Sequence, residues 1–157
     1  MVYHCIAIGC PMVSPLIRFD RLYDETTLLL DELKLYVESK KAYDNGFNSP
    51  IICFVTIRET RRVVCRLATV MAWLLAERAH YNGEITRSEF TSDKYSLSSS
   101  SVCANLSHDD NEELPETLRR LLHKSYELYI RTSRIEAMVR ASGVSDGIRN
   151  SQDEALG

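Results

Sequence analysis

The apolar stretch between Ser49 and Asn82 constrains the fold more than any other feature of the chain. Ser49 followed by Pro50 is a helix-start signal, since a serine hydroxyl accepts a hydrogen bond from a free amide and proline suits the first helical position. Asn82-Gly83 is the matching stop, because glycine readily takes the left-handed conformation that closes a helix end. No glycine and no further proline interrupts the segment. The sequence therefore predicts one long helix, roughly 50 Å in length at 1.5 Å per residue.

Apolar residues surround this predicted helix instead of keeping to one stripe. A helix that is apolar nearly all round must be covered on several sides. The charge-free run between Arg66 and Glu77 is too short for a membrane span, which needs about 20 residues. We therefore predict a central, buried helix of a soluble protein. Its principal face is predicted to comprise Ile57, Val64, Leu67, Met71, Leu74 and Leu75.

Two further amphipathic helices are predicted, one on each side of the central segment in sequence. Both show apolar residues at three- and four-residue steps, and the first also has an acidic opposite face. A short link between the first two helices is typical of antiparallel neighbours. The predicted fold is all-α, a three-helix bundle with a mobile connection between helices 2 and 3. The apolar stripes include Phe19, Leu22, Leu29 and Leu33 before the segment, and Leu118, Leu121, Leu122 and Leu128 after it.

The chain of 157 residues is expected to form one domain. We predict an unstructured leader over residues 1–16, the bundle over 17–142, and a flexible tail over 143–157, since Ser142-Gly143 is a stop signal. Thr86 and Glu89 have the spacing of a capping box, which predicts a short helix. The serine-rich and acidic sequence from Ser92 to Glu113 predicts the mobile connection.

Composition and motifs argue against several classes of function. A formal net charge of −3 argues against general binding to nucleic acid or to anionic membranes. The five cysteines are odd in number and lack zinc-site spacing, which favours reduced thiols in a cytoplasmic protein. Glycine-rich phosphate loops and hydrolase motifs are missing, so no enzyme and no cofactor is predicted. Glu77 and His80 match a di-metal motif only once, and no metal is predicted.

Four arginines concentrate positive charge on the central segment, and three of them repeat at four-residue spacing, where like charges repel. They are Arg58, Arg61, Arg62 and Arg66. The first interpretation is neutralisation by Glu59 and by carboxylates of the first helix. The second is a docking surface for an acidic partner, because the arginine fork binds carboxylates with two hydrogen bonds. The third is contact with DNA. Trp73 is either a core residue or an aromatic anchor in a dimer interface.

The central segment and the turn after it resemble the regulator of CtrA degradation family of alphaproteobacteria. The matching residues are Glu59, Arg66-Leu67, Trp73-Leu74-Leu75, Arg78-Ala79, Gly83-Glu84 and Thr86. A second match lies on the third helix. Its residues are Leu114-Pro115, Leu118, Ser125, Leu128, Arg131 and Ile135.

The resemblance implies a cytoplasmic, non-enzymatic adaptor with a three-helix bundle that forms homodimers. Such adaptors help the ClpXP protease to degrade cell-cycle regulators, so the expected partners are ClpX and response-regulator-type proteins such as CtrA. The alternative is a DNA-associated transcriptional or cell-cycle regulator that uses the arginine-rich helix face. Neither catalytic nor metal-binding residues are expected. The candidate partner-binding residues are Arg58, Arg61, Arg62, Arg66, Trp73 and Glu84.

The central helix also predicts self-association. It is apolar around more of its surface than two flanking helices can cover, and monomers rarely expose a large contiguous apolar patch. Pairing about a two-fold axis would bury the remainder, with each copy presenting the same patch. We therefore expect a homodimer with the serine-rich connection and both termini outside the interface. The alternative is that the connection from Ser92 to Glu113 folds back and covers the patch within one chain.

Overall fold

The computed structural model describes residues 15–43, 49–97, 103 and 114–153. These residues form four α-helices and one 3₁₀ helix, and no strand occurs among them. The predicted all-α class is confirmed. Within this part of the chain, no helix combines the length and the apolar character needed to cross a membrane. The elements are α1 (Pro15–Tyr43), α2 (Pro50–Tyr81), α3 (Arg87–Phe90), the 3₁₀ helix (Asp93–Tyr95) and α4 (Glu116–Asp153).

The predicted boundaries of the central helix are confirmed. Ser49 is the N-cap of α2 and Pro50 occupies the first turn, although the Ser49 side chain makes no capping hydrogen bond. Asn82 is the C-cap, and Gly83 follows it with a φ of 76°. Only glycine takes this left-handed conformation without a steric penalty from a Cβ atom. The backbone therefore turns away from α2 where the sequence predicts that it does.

The three long helices contact one another pairwise around a common core. Ion pairs join α1 to α4: Glu25 pairs with Arg131, and Glu32 pairs with Lys124 and Arg120, so the two helices run antiparallel. Arg66 of α2 contacts Leu122 of α4, and Arg87 of α3, which follows the end of α2, contacts Val139 further along α4. The chain therefore advances along α2 in the same direction as along α4. These contacts are compatible with the predicted three-helix bundle, which stays a prediction.

The rotation of α2 differs from the predicted one. Leu67 and Leu74 are buried as expected, but Ile57, Val64 and Leu75 are exposed. Their places in the core are taken by other residues of the helix. These are Val63, Val70 and Trp73. A helix that is apolar nearly all round gives little periodic signal about which side faces inward, so the predicted principal face was wrong by part of a turn.

The segment after α2 packs against the core. The predicted capping box is confirmed, since Thr86 and Glu89 exchange both of its hydrogen bonds and α3 follows. Phe90, Leu97 and Cys103 are buried. The predicted mobile, external connection is therefore wrong for its described part, because apolar residues among the serines are buried in the core. Residues 98–102 and 104–113 lie outside the described residues.

Side chains of α4 hold this segment in place. Both carboxylate oxygens of Glu136 accept hydrogen bonds from the Leu97 amide, at 3.2 Å each. The Tyr129 hydroxyl donates to the Leu97 carbonyl at 2.7 Å, and Arg140 donates to the Ser92 carbonyl at 3.1 Å. The backbone groups of the segment are thus satisfied by side chains instead of by water. The described part of the connection therefore folds back onto the core, whereas Ile57, Val64 and Leu75 of α2 stay exposed and are not covered by it.

The ends of the outer helices differ from the predicted domain limits. The predicted stop at Ser142-Gly143 is wrong, because α4 continues to Asp153. An isolated glycine inside a helix costs about 1 kcal/mol and does not by itself end it. At the other end, Pro15 opens α1 inside the predicted leader, and residues 1–14 lie outside the described residues. The division into leader, domain and tail stays a prediction.

Candidate partner-binding surface

The candidate partner-binding residues do not share one surface. Arg62, Arg66 and Trp73 are 9%, 0% and 2% exposed, so they face the interior of the chain. Arg58, Arg61 and Glu84 are exposed. Residues four apart, such as Arg62 and Arg66, lie on one side of a helix. That side of α2 is buried, so these two arginines are in the interior of the chain. The sequence prediction of a common docking surface for all of them does not fit this arrangement.

Glu59 neutralises two of the arginines. Its buried carboxylate accepts a hydrogen bond from Arg58 Nε at 2.9 Å and one from Arg62 Nη1 at 2.6 Å. An unpaired charge in the interior would cost several kcal/mol, so this pairing is a condition for burying Arg62. The first interpretation of the arginine cluster is thus correct for Glu59. Carboxylates of α1 pair with α4 instead, through Glu25 and Glu32.

Arg66 joins three parts of the chain inside the core. Its Nε donates to the Cys103 carbonyl at 3.0 Å, and its Nη1 donates to the Leu122 carbonyl on α4 at 2.9 Å. The guanidinium also lies 4.9 Å from the centroid of the Tyr126 ring, within range of a cation–π interaction. Arg66 therefore acts within the fold, and its burial fits neither an acidic docking surface nor contact with DNA phosphates.

Trp73 belongs to an aromatic cluster at the junction of α1, α2 and α3. Its ring centroid is 5.8 Å from that of Phe19 and 5.8 Å from that of Phe90. His80 stacks on Phe90 with a centroid distance of 5.4 Å and an interplanar angle of 12°. Trp73 is therefore a core residue, and the interpretation as an interface anchor does not fit its burial.

Glu77 and His80, the single match to a di-metal motif, have different surroundings. Burial raises the pKa of the Glu77 carboxyl above its ordinary value, His80 opposes the rise, and Asp20 adds to it. The Nδ1 atom of His80 lies 3.2 Å from the Ile85 carbonyl in the turn after α2. Across the described residues, no group of three or more His, Cys, Asp or Glu side chains is placed to hold a metal ion.

The outward side of α2 carries most of the exposed apolar residues of that helix. Their positions are separated by three or four residues or by multiples of a turn, so they share one side. Arg61 lies among them and is exposed. We call this surface the α2 outer face. It comprises Ile51, Phe54, Ile57, Val64 and Leu75, which are 73%, 68%, 56%, 44% and 50% exposed.

Sequence reasoning predicted an uncovered apolar patch on α2 but not its position, because it assigned Ile57, Val64 and Leu75 to the principal buried face. A signal was present in the polar residues of α2. Glu59 and Arg62 have the three-residue spacing of an intrahelical ion pair, and the burial of that pair turns the opposite side of the helix outward. Exposed apolar residues grouped on one helix side indicate a contact surface for another molecule.

The chain belongs to the family described as "Protein of unknown function (DUF1465)", whose model matches residues 13–156. This family description names no activity and no partner. No curated protein and no solved structure matches the chain.

Proposed function

We propose that the chain is a non-enzymatic, cytoplasmic adaptor that promotes ClpXP-dependent proteolysis of cell-cycle regulators such as the response regulator CtrA. The proposal comes from the resemblance of α2 and α4 to the regulator of CtrA degradation family. In this proposal the three long helices form a three-helix bundle, and the bundle presents its surface to ClpX and to response-regulator-type proteins. The observation that carries the proposal is the α2 outer face, an exposed apolar surface on the helix with the strongest resemblance.

The residues that carry the resemblance have clear roles within the fold. Glu59 and Arg66 are buried polar residues, Trp73 is in the aromatic cluster, and Gly83 and Thr86 form the turn into α3. These roles support a shared fold, whereas the exposed residues between them are free to determine the partner. Function depends on such sites more than on the fold itself.

We further propose that the α2 outer face forms a homodimer interface. Ile57, Val64 and Leu75 lie on one side of a long helix, and a two-fold axis would set the same face of a second copy against them. Burial of apolar surface contributes roughly 25 cal/mol per Å². Arg61 lies among these residues, so its long side chain would extend to the rim of the interface, where its charged end stays hydrated.

Two variants test the dimer and its face. Ile57→Glu places a charge on the α2 outer face, and Leu28→Glu is the matched control on α1, where Leu28 is 64% exposed. Light scattering at micromolar concentration should give a dimer mass for the wild type and for Leu28→Glu, and a lower mass for Ile57→Glu. A wild-type mass near a single 17.9 kDa chain would rule out the dimer.

A reconstituted degradation assay tests the adaptor function. Wild-type protein, added to ClpXP with the cognate primed partners, should shorten the half-life of CtrA or of another response regulator without being consumed. Ile57→Glu should reduce this effect more than Leu28→Glu does. An unchanged half-life for every candidate substrate in the presence of the wild type would refute the proposal.

The DNA-associated alternative has less support from the described contacts. Arg62 and Arg66 are held inside the chain, so only Arg58 and Arg61 of the cluster remain for phosphates. Binding through phosphate contacts weakens steeply with salt because counterions are released. A gel-shift series across salt concentrations tests this alternative. Tight DNA binding at physiological salt would favour the DNA-associated function over the adaptor function.

A further inference from the structure

A groove between α1 and α4 carries uncompensated positive charge. Its volume is about 530 Å³, and no residue of α2 lines it. Its lining consists of Arg21, Leu22, Glu25, Arg131, Arg134, Ile135 and Met138. Three arginines therefore accompany one carboxylate. The groove does not include the α2 outer face, so the inference drawn from it does not rest on that face.

Charges along the contact between α1 and α4 are complementary at two levels. Glu32 accepts a hydrogen bond from Lys124 at 3.3 Å, and Glu25 pairs with Arg131 two turns away. At each level the acid belongs to α1 and the base belongs to α4. Opposite charges facing each other across two helices are attractive, so these pairs need no further ligand.

The pattern breaks one turn beyond Glu25. There α1 contributes Arg21 and α4 contributes Arg134, and both side chains are exposed. Among the described residues, neither arginine takes part in an ion pair. Two cations lining one groove repel each other, and an anionic ligand would relieve that repulsion.

The groove also has an apolar component. Leu22 and Ile135 form buried parts of its lining, and Met138 is 56% exposed. Methionine is flexible and adapts to ligands of different shape. A ligand that combined a carboxylate for each arginine with an apolar side chain against Met138 would satisfy both parts of the lining. Arginine suits this task because its planar fork pairs with a carboxylate through two hydrogen bonds.

We propose that this groove binds an acidic peptide segment of a partner protein, with Arg21 and Arg134 holding its carboxylates and Met138 contacting an apolar side chain between them. A peptide fits better than a single small anion, because the groove is open, has a volume of about 530 Å³ and is lined by both cationic and apolar residues. The arginines select the charge of the segment, and the apolar lining excludes a merely polyanionic ligand.

Fluorescence anisotropy with a short labelled peptide in which aspartate and leucine alternate tests the proposal. The full chain should bind this probe, and Arg21→Glu with Arg134→Glu should weaken binding by roughly tenfold or more, since each charge reversal replaces an attraction by a repulsion. Arg21→Lys with Arg134→Lys should retain part of the affinity. Lys34→Glu, at an exposed position of α1 outside the groove, is the matched control and should bind like the wild type.

Peptide variants separate the two parts of the recognition. Replacing aspartate by asparagine should abolish binding, and replacing leucine by serine should weaken it. The proposal would be overturned if the asparagine peptide bound as tightly as the aspartate peptide. It would also be overturned if Arg21→Glu with Arg134→Glu bound the aspartate peptide as tightly as the wild type does. Lack of wild-type binding at millimolar probe would overturn it as well. Circular dichroism of each variant checks that the helices are intact.

Two competing occupants have distinct outcomes. If the charge reversal changes the mass measured by light scattering, the groove is a contact between copies of this chain, and the peptide assignment is overturned. If a short DNA duplex competes as well as the unlabelled acidic peptide, the groove recognises phosphate charge alone, which also overturns it. Competition by the acidic peptide only, with an unchanged mass, supports the assignment. The degradation assay is a separate readout, so failure of one does not imply failure of the other.

Discussion

Two pairs of arginines in this molecule show how differently the same side chain is used. Arg62 and Arg66 lie in the interior, where Glu59 and two backbone carbonyls receive their hydrogen bonds. Arg21 and Arg134 lie on the α1–α4 groove, and no ion pair of the described residues includes them. The interior pair belongs to a conspicuous charge cluster in the sequence, whereas the groove pair is separated by more than a hundred positions. A run of charge in a sequence is therefore a poor guide to where charge is available to a partner.

The two pairs should differ in their contribution to stability. Buried arginines depend on their partners, because desolvation of a charge is recovered only by hydrogen bonds and counter-charges inside the fold. Surface arginines keep their hydration, and their removal leaves nothing unsatisfied. Substitutions of the interior arginines and of their partners should therefore cost more stability than substitutions in the groove.

Arg66→Met should have the largest effect. It removes the donors to the Cys103 and Leu122 carbonyls and the contact with Tyr126. We expect a loss of about 3 kcal/mol in the free energy of unfolding, measured by urea denaturation. Arg61→Met on the exposed side of the same helix should change it by less than about 0.5 kcal/mol. Similar losses in the free energy of unfolding for Arg66→Met and Arg61→Met would contradict the expectation that the buried arginine contributes more to stability than the exposed one.

Glu59→Gln should have an intermediate effect. The variant keeps the shape of the side chain but removes the negative charge that Glu59 provides to Arg62. We expect a loss of about 2 kcal/mol, in the range for hydrogen bonds to charged groups. Adding Arg62→Met should recover part of this loss, because it removes the cation whose pairing with Glu59 was lost. Strictly additive losses in the double variant would contradict the pairing.

Glu77→Gln should change the dependence of stability on pH. Burial raises the folded-state pKa of Glu77 above its unfolded value, so the folded chain binds the proton more tightly than the unfolded chain does. The stability that this carboxyl contributes is full below its unfolded pKa and is lost as pH rises through the folded pKa. At neutral pH the glutamine variant should therefore melt at a higher temperature than the wild type.

The difference in melting temperature between the wild type and Glu77→Gln should become smaller as the pH is lowered through the range in which a glutamate ordinarily titrates. Thermal unfolding followed by circular dichroism from about pH 4 to about pH 8 covers that range. Partial exposure of the group limits the size of the effect. A melting-temperature difference that stays constant across the series, or that grows on acidification, would contradict the direction of the pKa change.

Replacing Arg21 and Arg134 by glutamine should have the smallest effect on stability. Because the described chain provides neither with an ion pair, we expect a change below about 0.5 kcal/mol in urea denaturation. Arg131→Gln, which breaks the exposed pair with Glu25, serves as the reference and should cost up to about 1 kcal/mol. A larger loss for the groove arginines than for Arg131 would show that they have a structural role.

Much of the secondary structure could be predicted because its signals are local. Pro50 at the start of α2, Gly83 after its end and the capping box at Thr86 each act within one turn of helix. The predicted helix end at Gly143 was wrong for the same reason. A single glycine is a local signal, and it does not show whether the residues on both sides of it are helical, as they are in α4. The apolar content of α2 predicted a helix buried on several sides, but the α2 outer face is exposed.

The candidate site could not be predicted in the same way. Trp73 and Glu84 stand close in the sequence, yet one is in the core and the other is exposed. The burial of Leu97 was not predicted, because this residue lies in a serine-rich segment. Its backbone is held by Glu136 and Tyr129, which come from a helix far along the chain. The α1–α4 groove had no sequence signal at all, since its residues come from two distant helices.

The sequence alone was enough to establish the all-α class, the limits of α2 and the short capped helix after it, because capping, proline placement and left-handed glycine are properties of neighbouring residues. Tertiary packing determined which side of α2 faces inward. It thereby also determined which arginines are part of the core and which are exposed to a partner. An ion pair such as Glu59 with Arg62 can form in the interior or at the surface from the same local sequence. The free energy that selects between them comes from distant partners, such as the Cys103 and Leu122 carbonyls around Arg66.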